Sequence, residues 1–289
     1  MSNEKVREIV LQSIMDAMEK GIIPWRKPWK DSGMRPCNIE GRKYNGINWL
    51  ILSMMPHAIP VYLTFKQAQK LGGSVKKGEK GIPVSFWKML KKTEDGVEKT
   101  IPLMRYFTVF NISQCEGIEL PKRFVQSGPV KAFNPIAAAE AAWANMPKRP
   151  TLAFGGDRAC YIPSKDEIHL PEKTAFESEE AYYATLFHEA GHSTGHASRL
   201  NRKEVVNTGM FGSMDYSLEE LVAEMTSAML CAETGIEQPI LENAVAYLQS
   251  WYSKLSKEPG MLVTAASRAQ KACDFIIGKA EEEQDPQAA

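Results

Sequence analysis

The segment that most constrains this chain is residues 186–200, LFHEAGHSTGHASRL, which holds three of the five histidines in the sequence. His188 and His192 are four residues apart and frame the pattern H-E-x-x-H in a stretch that favours a helix. Residues four apart on a helix share one face, so these two imidazoles can bind one metal ion. Glu189 lies too far round the helix to bind the same ion and can act as general base on a water molecule. The pattern therefore predicts a metal-dependent hydrolytic site.

A catalytic zinc site takes three protein ligands and leaves one position open, so a third ligand is required. Glu220 and Glu224 are one turn apart in the predicted helix that contains DYSLEELVAEMTSAML. We assign Glu220 as the metal ligand and Glu224 as the carboxylate that orients a ligand histidine. Ser217 and Glu220 also fit an S-x-x-E capping box, and in that case Glu224 would be the ligand. The expected ion is Zn²⁺, and the same ligands accept Mn²⁺ or Co²⁺.

Three more residues are candidates for the surroundings of the metal. His196 follows His192 by four residues and is turned about 40° further round the helix, so we expect it beside the ligands or facing substrate. Arg199 and Tyr161 are candidate catalytic groups that stabilise a developing oxyanion. Residues 160–171, CYIPSKDEIHLP, are expected to form two extended pieces around a turn, and they can pair with a substrate strand.

The net charge of zero hides an asymmetry between the two halves of the chain. Residues 1–128 carry 21 Lys and Arg against 12 Asp and Glu, a charge of +9, whereas residues 129–289 carry 14 against 23, a charge of −9. Cations that follow phosphates and aromatic faces that stack bases are the features that bind single-stranded nucleic acid. The front half therefore predicts sequence-tolerant binding of single-stranded DNA. The predicted contacts are Trp25, Arg26, Lys27, Trp29, Lys30, Tyr44, Lys76, Lys77, Lys80 and Arg105.

Hydrophobic periodicity and turn signals predict an α+β chain of two domains, 1–125 and 126–289. The first is expected to be an α+β domain with a small antiparallel sheet, in which Thr64 and Gln67 form a capping box and Asp95-Gly96 turns a hairpin. The second is expected to be mainly helical. Its predicted helices cover about 137–145, 178–195, 217–234, 240–256 and 261–281, and a first helix is predicted at 3–20.

Three features indicate a cytoplasmic location without a membrane partner. No apolar run approaches the ~20 residues that span a bilayer, and the first residues do not have the pattern of a signal peptide. The five cysteines are odd in number and scattered, which is typical of reduced thiols.

Seven stretches carry a family resemblance: PWRKPW, GRKYNGINWL, YLTFKQAQKLGG, VKKGEKGIPV and FTVFNISQCEG in the front half, then HEAGHSTGHASRLNR and EELVAEMTSAML in the back half. In these the chain resembles the ArdC family of plasmid-borne antirestriction proteins. The resemblance implies an N-terminal single-stranded-DNA-binding domain, a C-terminal zincin-like metallopeptidase domain, and protection of incoming conjugative DNA from restriction.

By position, the resemblance gives His188, His192 and Glu220 as metal ligands and Glu189 as the catalytic glutamate. The expected partners are single-stranded DNA and a peptide or protein substrate that the sequence does not name. Two alternatives stay open at this point. One is a regulatory metalloprotease localised by DNA, and the other is a pure single-strand-binding protein with a structural metal.

Overall fold

The computed structural model describes residues 3–25, 34–55, 57–94, 97–124, 135–206, 214–238 and 244–279. The helices are α1 (Asn3–Glu19), α2 (Gly46–Ser53), α3 (Phe65–Lys70), α4 (Pro135–Ala144), α5 (Glu179–Ser193), α6 (Lys203–Val206), α7 (Met214–Thr234), α8 (Ala244–Lys257) and α9 (Gly260–Ile276). The strands are β1 (Cys37–Asn38), β2 (Val61–Thr64), β3 (Ser74–Val75), β4 (Ile82–Glu94), β5 (Val97–Asn111), β6 (Cys115–Glu116), β7 (Thr151–Phe154), β8 (Cys160–Ile162) and β9 (Glu167–Leu170).

The predicted α+β class is confirmed, and so are most of the predicted elements. Strands β4 and β5 pair antiparallel up to Glu94 and Val97, so the hairpin forms, although its turn residues 95–96 lie outside the described residues. Both hydrogen bonds of the capping box between Thr64 and Gln67 are present. Strand β7 was not predicted, and it pairs in parallel with β9.

The front half is built around β2, which lies between β1 and β5 in a sheet of order β1-β2-β5-β4. Successive residues of a strand point to opposite faces of the sheet. Val61 and Leu63 accordingly pack into one small core, whereas Tyr62 packs into another with Val84. Because both faces of β2 are buried, the strand holds its neighbours β1 and β5, and the helix α3 that follows it, in place.

The main core lies among α5, α7 and α9, and the first two helices of the chain contribute to it. Ile14 of α1 and Leu50 of α2 belong to the same buried cluster as the helices of the back half. A partly buried ion pair adds to this contact, since Arg35 Nη1 lies 3.2 Å from Glu233 Oε2 at the end of α7. The predicted boundary after residue 125 stays a prediction. In the described part of the chain, no helix has the length and hydropathy to cross a membrane.

Candidate metal centre

Helix α5 carries the H-E-x-x-H residues and is fixed at both its start and its contact face. Ser178 caps it by accepting a hydrogen bond from the Ala181 backbone N–H at 3.1 Å. Near the histidines, Gly191 lets α5 approach α7 closely, since a Cβ at this position would lie 3.1 Å from Ala223 Cα. This approach brings the acidic residues of α7 to the histidines of α5.

His188, His192 and Glu220 form a cluster whose ligand atoms all lie within 4.8 Å of one another. The two Nε2 atoms are 3.2 Å apart, and each lies 3.7 Å from an oxygen of Glu220. Two ligands held 2.0–2.1 Å from a tetrahedral ion are about 3.3 Å apart. The three side chains are partly exposed, so the cluster can accept a divalent ion and leave a coordination position open.

The start of α7 argues against the capping-box alternative for Glu220. The helix already includes Met214, so Ser217 lies inside it rather than at its N-cap. Glu220 therefore faces the histidines instead of closing the helix end. Burial raises the pKa of this carboxyl, but the hydrogen bond from His188 and the charge of His192 outweigh burial and lower the pKa to about 2.

Glu219, which the sequence pattern does not single out, accepts a hydrogen bond from His192. Its Oε1 lies 3.2 Å from His192 Nδ1, which leaves Nε2 directed into the cluster. Arg202 holds Glu219 with two hydrogen bonds of 2.8 and 2.6 Å. A carboxylate on the outer nitrogen of a ligand histidine fixes its tautomer and orientation. The orienting role predicted for Glu224 stays a prediction.

The charges of His192, Glu219 and Arg202 stabilise one another. Burial lowers the pKa of His192, but the hydrogen bond and charge of Glu219, together with the charges of Glu189 and Glu220, outweigh burial and raise the pKa of the imidazole. Burial raises the pKa of Glu219, and the hydrogen bonds from Arg202 and His192 outweigh it and keep the pKa low. The buried guanidinium of Arg202 therefore keeps the Glu219 carboxylate ionised beside His192.

Glu189 is only 7% exposed, and its charge acts on Tyr216, a residue that the sequence pattern does not single out. Burial, then Glu220 and Glu189, raise the pKa of Tyr216 to about 12. The Tyr216 hydroxyl donates a hydrogen bond to Glu220. Tyr216, in the first turn of α7, is thus linked to both Glu220, the candidate third ligand, and Glu189, the candidate catalytic residue.

The oxyanion roles predicted for Arg199 and Tyr161 stay predictions, and in this structure the donors of both side chains already have partners. Arg199 donates from Nε to the Ser193 carbonyl at 2.7 Å, and its two terminal nitrogens donate to the Lys148 carbonyl, to both oxygens of Asp166 and to the Tyr161 hydroxyl. These contacts use all five N–H groups of a guanidinium. The hydroxyl of Tyr161 in turn donates its only proton to Asp166 at 2.8 Å.

His196 lies beyond the end of α5. Its Nδ1 is 2.8 Å from the Ser198 hydroxyl, and it is not among the described residues that cluster as metal ligands. Its predicted supporting role next to the ligands stays a prediction.

The predicted DNA contacts separate into three groups. Arg26, Lys27, Trp29 and Lys30 lie outside the described residues. Lys76, Lys77, Lys80 and Arg105 are exposed, as a contact to phosphate requires.

The structure corrects the predicted DNA contacts Trp25 and Tyr44, because both side chains are buried. Trp25 is 2% exposed, contacts Trp251 edge-on at 5.9 Å between ring centroids, and donates a hydrogen bond from Nε1 to the Tyr247 hydroxyl. Tyr44 is buried against Tyr62. A buried ring offers no face to a base, so both residues belong to the core.

The two halves of the chain match two different family models. A family model described as "Zincin-like metallopeptidase" matches residues 138–268, and one described as "N-terminal domain of anti-restriction factor ArdC" matches residues 4–110. Crystal structures of the antirestriction protein ArdC from plasmid R388 are similar over nearly their whole length. The metal-free form is 36% identical, with a TM-score of 0.72, over 93% of this chain and 96% of that one. The Mn(II)-bound form is 34% identical, with a TM-score of 0.73, over 96% and 99%.

Two similarities to curated sequences extend this result. The uncharacterized protein y4eC of Sinorhizobium fredii (strain NBRC 101917 / NGR234) is 34% identical over 94% of this chain and 91% of its own length. A DNA primase TraC of Escherichia coli is 38% identical over 93% of this chain, but the chain spans only 27% of that primase. The chain belongs to the ArdC family of antirestriction proteins.

Proposed function

We propose that this protein binds single-stranded DNA without strong sequence preference, carries a metal-dependent peptidase site, and protects incoming conjugative DNA from host restriction in the cytoplasm. The observation that carries the peptidase part is the cluster of His188, His192 and Glu220 beside the buried Glu189. The Mn(II)-bound structure of the R388 relative supports a metal in this family. The DNA part rests on the basic front half and on its match to the ArdC N-terminal domain.

In this proposal His188, His192 and Glu220 hold the ion, with Zn²⁺ expected and Mn²⁺ or Co²⁺ as substitutes. A divalent ion bound there supplies a Lewis acid that polarises a peptide carbonyl and lowers the pKa of water. Glu189 takes a proton from the attacking water and passes it to the leaving amine. Glu219 keeps His192 in the tautomer whose Nε2 faces the ion.

The substrate would bind along β8. In the sheet of order β7-β9-β8, this strand is at the edge, and no other described strand covers its outer side. An extended peptide can add to such an edge through backbone hydrogen bonds. The substrate is therefore an extended segment of a peptide or protein.

The number and type of the ligand candidates favour catalysis over a structural metal. Structural zinc sites are usually closed by four protein ligands, often cysteines. Here the described cluster has three ligand candidates and no cysteine, and all five cysteines of the chain are free. A pure DNA-binding protein with a structural metal is the competing account, and the first experiment below separates the two.

The peptidase proposal is tested by Glu189→Gln in the Zn²⁺-loaded full chain, with a degenerate peptide library as substrate. We expect wild type to cleave and the variant to keep its metal but lose cleavage by about a hundredfold or more, since a general base contributes this much. Glu179→Gln, at the exposed start of the same helix, is the control and should cleave like wild type. Equal cleavage by both variants, or no cleavage by metal-loaded wild type, would contradict the proposal.

The same variant separates the accounts of antirestriction. If protection of transferred DNA in a restricting host depends on proteolysis, Glu189→Gln loses it. Undiminished protection by this variant would mean that DNA binding alone provides it.

The DNA proposal is tested by the salt dependence of binding to a labelled oligothymidylate. Replacing Lys76, Lys77 and Lys80 together by Gln should weaken binding and reduce the slope of log K against log salt by up to about 2, since each phosphate contact contributes about 0.7. The matched control replaces Lys165, Lys257 and Lys271, exposed lysines of the back half, by Gln. An unchanged slope in the first variant would remove these lysines from the interface.

A further inference from the structure

Helix α3 presents an aromatic ring and two cations to solvent on one face. Phe65 is 48% exposed, and Lys66, Gln69 and Lys70 are exposed as well. Successive helical residues are 100° apart, so these four positions cover a continuous arc of about 140°. Ala68, on the other side of the helix, is fully buried in a front-half core.

The backbone at both ends of α3 is held in place by contacts within the protein. The Thr64 hydroxyl accepts from the Gln67 N–H at 3.3 Å, and Gln67 Oε1 accepts from the Thr64 N–H at 2.8 Å, which closes the start of the helix at Phe65. After the helix, Gly73 packs so closely that a Cβ would lie 2.3 Å from the Glu116 carbonyl oxygen. An aromatic ring on such a base loses little backbone freedom when it binds a ligand.

The charge around Phe65 is strongly positive. The segment 65–80 contains five lysines and one acid, Glu79. The carboxylate of Glu79 already accepts a hydrogen bond from Gln114 Nε2 at 2.8 Å. A cationic helix face with a single exposed ring suits a polyanion that also carries flat apolar groups, and single-stranded nucleic acid has both features.

We propose that this α3 face, defined by Phe65, Lys66, Gln69 and Lys70, is a contact surface for single-stranded DNA. Phe65 stacks on a base, and Lys66 and Lys70 follow the phosphates on either side of it. The surface continues along the chain into the Lys76–Lys80 loop. This inference rests on the proposed single-strand binding and gives that binding a defined stacking residue, in place of Trp25 and Tyr44.

The test measures binding of the full chain to labelled oligothymidylate of about 20 nucleotides, longer than one binding site. Phe65→Leu keeps an apolar side chain and removes the stacking face, and we expect its Kd to rise about fivefold or more, as loss of one stacked base implies. Phe65→Trp should bind at least as tightly as wild type. The matched control is Phe154→Leu, since Phe154 is 41% exposed in the back half, and its Kd should not change.

A second oligonucleotide of the same length with abasic sugars in place of nucleotides separates stacking from charge. Wild type and Phe65→Leu should bind it equally, because it offers no base to stack on. The double variant Lys66→Gln with Lys70→Gln should reduce the salt slope on both oligonucleotides.

Two results would overturn the inference alone, and a third would contradict the proposed function on which it rests. The first is an unchanged Kd of Phe65→Leu on oligothymidylate, and the second is an equal loss on the abasic strand, which would mean that Phe65 acts only on the fold. The third is failure of wild type to bind either strand, which would instead contradict the proposed single-strand binding itself. The first two results leave that binding in place.

Discussion

The candidate metal centre and the proposed DNA-binding surface differ in how far their functional side chains are buried and held in place. At the metal centre, His188, His192 and Glu220 are partly buried, and His192 is backed by Glu219 and Arg202. At the front surface, the lysines of the segment 65–80 are exposed to solvent. A metal ligand has to stand within a few tenths of an ångström of its position, whereas a lysine that follows phosphates works over several ångströms.

This difference decides what a substitution does in each region. In the buried network, removing one group leaves its partner charged and unpaired, so single changes have large effects. On the exposed surface the charges add up, and each contributes little. The predictions below test this contrast, starting with the largest expected effect.

The largest effect is expected for Glu220→Gln, which removes a charged ligand candidate. Its Zn²⁺ affinity, measured by competition with a chromogenic chelator, should fall by more than about a hundredfold, because loss of a supporting residue alone costs 10–100-fold. Glu224→Gln, one turn further along α7, is the matched control and should lose less. The opposite order would make Glu224 the third ligand.

Glu219→Gln should lower Zn²⁺ affinity by about 10–100-fold, the range for residues that orient a ligand histidine. It should also reduce the free energy of unfolding of the metal-free protein by about 3 kcal/mol, because Arg202 stays buried without its carboxylate. Asp215→Asn, at an exposed position of the same helix, is the control for charge on α7. Wild-type metal affinity in Glu219→Gln would show that the buried network does not position His192.

Trp25→Phe tests whether Trp25 belongs to the core and not to the DNA-binding surface. Because Trp25 is buried and donates to Tyr247, the change should reduce the free energy of unfolding by about 1–2 kcal/mol, measured by urea titration. The Kd for oligothymidylate should stay at the wild-type value. A weaker Kd with unchanged stability would return Trp25 to the DNA interface.

The smallest effect is expected where the two halves meet, at Glu233. Burial raises the pKa of this carboxyl, but Lys43 and Arg35 outweigh burial and lower it. A carboxyl whose pKa is lowered by folding stabilises the protein above its unfolded pKa of about 4.3 and stops doing so as pH falls through its folded pKa. Glu233→Gln should therefore cost about 1 kcal/mol at pH 7 and progressively less below about pH 4.

The measurement for Glu233 is the difference in free energy of unfolding between wild type and variant across this pH range. Glu177→Gln, an exposed position, should show no such difference. A difference that stays constant down to pH 3 would mean that the carboxylate charge is not what joins the halves.

The part of the site that could be predicted from the sequence is the part with local geometry. His188, Glu189 and His192 lie on one helix, so their spacing alone defines their arrangement. Glu219 was missed because it is 27 residues from His192, and the orientation of α7 against α5 decides which of two neighbouring carboxylates faces the imidazole. The hydrogen bonds of Arg199 could not be predicted for the same reason, since its partner Asp166 is 33 residues away.

The fold follows the same rule. The capping box at Thr64 and the β4–β5 hairpin depend on neighbouring residues and were predicted correctly. Trp25 and Tyr44 were misassigned because an aromatic residue among basic ones has the same sequence signature in a core as on a DNA-binding surface. Only packing distinguishes the two, as the contact of Trp25 with Trp251 does here.

The most direct test of the proposed metal centre is anomalous X-ray diffraction from a crystal soaked in Zn²⁺, recorded on both sides of the zinc absorption edge. The account predicts one strong peak about 2.0–2.2 Å from His188 Nε2, His192 Nε2 and a carboxylate oxygen of Glu220, with no fourth protein ligand. A peak bound by Glu224 instead of Glu220, a site closed by four protein ligands, or no peak between α5 and α7 would contradict it.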